Sequence, residues 1–139
     1  MSQHDLENEL KIADDTLSRA YELFQAKQDE AALSLYRAAV NQLLAAFQQH
    51  IDGGILTTLL LALRSLAVTA FITGRTEEGR IALGTAMAHV ELGLKNYWPS
   101  AQPLLDQQAE LLKLADQVGE TSVLIFADDD AQWTWPFSD

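Results

Sequence analysis

The sequence predicts an all-α protein of five antiparallel helices followed by an extended, acidic and aromatic C-terminal tail. Three observations predict it. The 139 residues include only 7 Gly and 3 Pro, so little of the chain is set aside for turns. Apolar residues recur at steps of three and four through long segments, the period of a helix face. The few helix-breaking clusters fall between those segments and divide residues 1–119 into five helical pieces.

The first helix is expected to begin near Ser2, whose hydroxyl caps free amides while Asp5 follows at capping-box spacing. Leu6, Leu10, Ala13, Leu17, Ala20, Tyr21 and Phe24 then form one apolar stripe. The pattern weakens over residues 25–28, and Asp29 is the expected cap of a second helix. That helix carries Ala32, Leu33, Leu35, Tyr36, Ala39, Val40, Leu43, Leu44 and Phe47, and Gly53 and Gly54 are its expected stop. Residues 55–72 are apolar nearly all round and so central, with Gly74 ending the third helix in a left-handed conformation. Thr76 is the expected cap of the fourth, with Glu77 and Glu78 at its positive end. Tyr97, Trp98 and Pro99 break the chain. Ser100 then caps a fifth helix, with Pro103 in its first turn and Gly119 at its end.

The last twenty residues differ in kind, so the chain divides into a helical domain, 1–119, and a tail, 120–139. Residues 121–126 have the β-branched and aromatic bias of an extended segment. Asp128, Asp129 and Asp130 follow, then Trp133, Trp135, Pro136 and Phe137, and the tail holds five acids but no Lys or Arg.

Composition narrows the activity. Twenty acidic side chains against nine basic ones leave a net charge of −11, which repels nucleic acid and anionic membranes. Direct nucleic-acid binding is therefore not expected, whereas a basic protein partner is compatible. With no cysteine there is no disulfide, thiolate nucleophile or Cys-based metal site. The polar N-terminus lacks the basic-then-apolar pattern of a signal peptide, and residues 55–72 are interrupted by Thr57, Thr58, Arg64, Ser65 and Thr69. No membrane span and a cytoplasmic location are the expectations.

Internal comparison gives a repeat. Ala20, Ala32, Tyr36 and Ala39 are separated by 12, 4 and 3 residues, and Ala67, Gly79, Leu83 and Ala86 have the same spacing. Small residues so placed let two antiparallel helices approach closely while the larger one fills the groove between them. Phe24 and Phe71 occupy matching places. This pattern, clearest from Ala20 to Ala39, resembles the tetratricopeptide repeat over residues 14–95, with the fifth helix as a capping helix. The units lie 47 residues apart instead of the usual ~34, the repeat's Trp and Pro are missing, and Lys27 stands where Gly is common. A plain helical bundle is the alternative, and it predicts the same helices.

Two candidate sites follow. Arg64 lies amid leucines, where an unpaired guanidinium is costly to bury. An internal ion pair or a side chain reaching out to water accounts for it, as does a place in a ligand groove. The resemblance implies that Tyr21, Arg64 and Val68 face such a groove, since residues at these repeat positions line the concave surface in that family. The second site is the tail, where Asp128, Asp129, Asp130, Trp133, Trp135 and Phe137 make either a cover for the third helix or a motif inserted into a partner.

Catalytic signatures are scarce. The sequence has no phosphate-binding glycine loop, metalloprotease motif or nucleophile elbow. His4, His50 and His89 are far apart and read as capping or surface residues; Asp14 with Asp15 and Glu77 with Glu78 read as solvated or dipole-facing pairs. The expectation is a non-enzymatic interaction module without metal or cofactor, an adaptor, chaperone or inhibitor that takes a protein segment between helices. Two alternatives stand beside it: an acidic mimic of nucleic acid that inhibits a nucleic-acid-binding protein, and an enzyme with an unrecognised site. The third helix and the tail also leave apolar surface for a homodimer.

Overall fold

Short connections separate the periodic segments into five helices, as the breaker positions require. The computed structural model describes residues 3–119 of the chain, as α1 (Gln3–Gln25), α2 (Asp29–Gln49), α3 (Gly53–Ile72), α4 (Thr76–Asn96) and α5 (Gln102–Val118). Ser2, the extended segment 121–126 and the tail residues Asp128, Asp129, Asp130, Trp133, Trp135 and Phe137 lie outside the described residues.

Connections this short make successive helices antiparallel neighbours. Helix α3 packs against all four others, most extensively against α2 and α4. Its ten buried residues, from Ile55 to Ala70, explain why its sequence is apolar all round. By length and composition α3 is also able to cross a membrane. In this fold it is the core helix, its buried residues belonging to one cluster with Leu33, Leu43, Leu83 and Leu111.

The two hairpins repeat with a 47-residue offset. Helices α1 and α3 end at Gln25 and Ile72, while α2 and α4 run from Asp29 to Gln49 and from Thr76 to Asn96. Their turns match bond for bond. Lys27 N donates to Phe24 O at 3.1 Å and Gln28 N to Leu23 O at 2.9 Å. Gly74 N donates to Phe71 O at 3.2 Å and Arg75 N to Ala70 O at 2.8 Å. Each is a Schellman motif, which requires a left-handed residue just past the helix. Gly74 supplies it at φ 80°, and Lys27 adopts it at φ 64° despite its Cβ.

Close packing follows the small residues. A Cβ on Gly79 would stand 2.9 Å from three ring carbons of Phe71, so the ring occupies space that only glycine leaves open. A Cβ on Gly93 would come 2.6 Å from Leu56 Cδ2 and 3.0 Å from Leu104 Cδ1, at the junction of α3, α4 and α5.

Several caps differ from expectation. Gly53 and Gly54 open α3 instead of stopping α2, because Asp52 accepts from Ile55 N at 3.1 Å and starts the new helix there. Asp29 and Thr76 are first residues of their helices, with Gln28 and Arg75 at the N-caps, and Ala101 takes the place expected of Ser100. Among the described residues, none of these three N-caps makes a side-chain cap bond. Pro103 in the first turn of α5 and Gly119 at φ 73° past its end are as expected.

Candidate functional site

Helix α1 presents Leu17, Ser18, Tyr21 and Phe24 along one face, at the three- and four-residue steps that align side chains on a helix. Helix α3 presents Leu61, Arg64, Ser65 and Val68 in the same way. The two rows face each other across two adjoining depressions of about 140 and 390 Å³, which share Tyr21, Tyr36, Arg64 and Ser65 and form one open groove. Leu17, Ser18 and Tyr21 stand 47 residues before Arg64, Ser65 and Val68, so the groove is built from equivalent positions of the two hairpins.

The three groove residues expected from the sequence, Tyr21, Arg64 and Val68, line the same depression. The groove also takes in Ser18, Phe24, Leu61, Ser65 and Tyr36, which the sequence reading had not placed there. The repeat offset carries Ser18 onto Ser65, so that pair was open to detection. Tyr36 is the larger residue of the repeat spacing on α2, but that spacing sets it between one antiparallel helix pair and does not bring α3 to it. It reaches between α1 and α3 to become the floor.

The floor carries a phenol. Burial raises the Tyr36 phenol above its ordinary pKa, a hydrogen bond with Ser65 acts in the opposite direction, and nearby Tyr21 adds to the rise. The neutral hydroxyl is therefore the form that Tyr36 keeps at the groove floor. The walls, Leu17, Phe24, Leu61 and Val68, are apolar, and Leu61 and Tyr21 are exposed at 40% and 53%.

Among the described residues, Arg64 is neither sealed in the core nor tightly paired. Its side chain is 27% exposed, and its nearest recorded carboxylate, Glu110 of α5, is 3.9 Å away and itself 55% exposed. At that distance the contact is electrostatic and weak, since exposed pairs contribute ~0.2–1 kcal/mol. Among the described residues lining the groove, Arg64 alone carries a charge.

A strong ion pair lies elsewhere. Glu78, expected to be a solvated partner of the helix dipole, is only 5% exposed, and it receives Arg37 Nε at 2.6 Å and Nη2 at 2.7 Å. This bidentate pair joins α2 to α4 and keeps the Arg37 guanidinium above its ordinary pKa, chiefly through the hydrogen bond to Glu78. It is a structural clamp on the helix pair behind the groove layer. Glu77 and the Asp14–Asp15 pair are exposed, as expected.

The histidines stay apart. His4 is exposed on α1, His50 ends α2, and His89 places Nδ1 2.8 Å from Thr85 O with its ring edge-on to Phe47 at 6.0 Å. Among the described residues, no group of three His, Asp or Glu side chains is placed to hold a metal ion. Compared with known proteins, the chain matches no protein-family model, no curated sequence and no solved structure.

Proposed function

We propose that this protein is a non-enzymatic interaction module, built from two tetratricopeptide-like hairpins and a capping helix, that binds a segment of a protein partner in the α1–α3 groove. The observation that carries this reading is the groove itself. Exposed apolar side chains and, among the described residues, a single cation line an open trough between two helices, over the Tyr36 phenol. Apolar burial would provide most of the affinity, and Arg64 would set the register by meeting a carboxylate. The surplus of negative charge would steer a partner with basic flanks. Adaptor, chaperone and inhibitor all use such a trough, and none needs a metal or cofactor.

A photocrosslinking side chain at position 61 tests the proposal in native lysate. One partner is expected, and Tyr21→Ala with Arg64→Glu should cut its capture by about tenfold while thermal stability is unchanged. Capture that is undiminished, or equally strong from position 38 on the outer face of α2, overturns the reading. The same captured partner separates groove binding from nucleic-acid mimicry. Apolar groove binding should change little with ionic strength, whereas an array of carboxylates would lose its partner steeply.

A further inference from the structure

We infer that the occupant of the α1–α3 groove in the isolated protein is the chain's own C-terminal tail, which a partner must displace. The inference rests on the groove reading and names what fills the groove when no partner does.

Chemistry selects the tail. The groove's charged lining residue is a cation, Arg64, in a chain of net charge −11. Its contact with Glu110 is 3.9 Å long, which leaves the guanidinium fork open to a shorter, bidentate carboxylate. Residues 120–139 contain five acids and no Lys or Arg. They place Trp133, Trp135 and Phe137 shortly after the Asp128, Asp129 and Asp130 run, Trp133 three residues beyond Asp130. A carboxylate for Arg64 and aromatic rings for Leu17, Phe24, Leu61 and Val68 are the complement that the trough requires.

Reach permits it. Glu110 lies beside Arg64, and α5 continues from there to Val118. The tail therefore starts roughly 13 Å along the helix axis from Arg64, at 1.5 Å per residue. Gly119, at φ 73°, turns the chain off that axis. The nine residue steps from Gly119 to Asp128 span up to about 30 Å when extended, more than twice the axial distance back. Asp128 thus reaches the level of Arg64 with chain to spare, and the aromatic residues follow into the trough.

The absence of cysteine allows a direct test in the whole 139-residue chain. Ser18→Cys, on the exposed groove rim, is combined with Thr134→Cys and treated with a short bis-maleimide. The control pair is Ala38→Cys with Thr134→Cys, since position 38 is exposed on the opposite side of α2. Crosslinking rate reports effective concentration, so the groove pair is expected to close within one chain about tenfold faster than the control. Arg64→Glu, or Arg64→Gln if the first variant loses helicity, should bring the groove rate down towards the control rate. Equal rates for the two pairs overturn the inference, as does a product made mainly of two linked chains. Either outcome leaves partner capture through position 61 untouched, so failure here is distinguishable from failure of the groove reading.

Discussion

Glu78 illustrates how burial changes the meaning of a charge. At the first turn of α4 a carboxylate ordinarily gains a few tenths of a kcal/mol from the helix dipole. Here it is enclosed and gripped at both oxygens by Arg37. Glu78→Ala would leave a largely covered guanidinium without that bidentate acceptor, and the expected loss is about 3 kcal/mol in chemical denaturation. Replacing both partners together, as Arg37→Met with Glu78→Leu, should recover most of it, because the desolvation of two charges is then avoided. A single replacement costing under ~0.5 kcal/mol would show that the pair is no clamp. Arg64 is the contrasting case: a single 3.9 Å ion contact to an exposed carboxylate and an open setting leave it available to a ligand.

The two hairpin turns give a comparison internal to the protein. Lys27 and Gly74 occupy the same left-handed position of matching Schellman motifs, and only glycine holds it without steric cost. Lys27→Gly should therefore stabilise the protein by about 0.5–1 kcal/mol, the relief of strain exceeding glycine's greater entropy when unfolded. Gly74→Ala should destabilise it by a similar amount, since nothing crowds its Cβ and the backbone alone objects. Denaturation midpoints of the two variants, measured against the parent chain, check both signs at once. A stabilising Gly74→Ala would mean that the turn relaxes and that the motif is not enforced by the helices it joins.

At the scale of the whole molecule, net charge opposes compactness. Twenty acids against nine bases repel one another over the surface, and the exposed pairs Arg75–Glu30 and Arg80–Glu77 offset little of this. Raising salt from about 10 to about 150 mM shortens the screening length from roughly 30 to 8 Å. Tm should rise by a few degrees in scanning calorimetry over that range. A falling Tm would show that paired charges outweigh the repulsion. The central α3 should remain the last element to exchange its amides, being covered by α1, α2, α4 and α5.

All five helices were legible in the residues, because a 3.6-residue period and a handful of breakers are local properties of the chain. The repeat was legible too: the 47-residue offset read from Ala20, Ala32, Tyr36 and Ala39 recurs in helix ends and turn bonds. Tyr21, Arg64 and Val68 could be grouped because the resemblance to the tetratricopeptide repeat implies that these positions face a groove, and they line one depression. What tertiary structure alone decided was which of several side chains of one type would be buried and which would meet. Glu77 and Glu78 are alike in sequence, and only the approach of α2 sends one to solvent and the other to Arg37. Gly53 and Gly54 read as a stop, yet Asp52 beside them makes them a start. Tyr36 became the groove floor because two other helices happen to part above it. Periodicity is written along the chain, whereas burial and partnership depend on residues 40 or more positions away, and only packing brings those together.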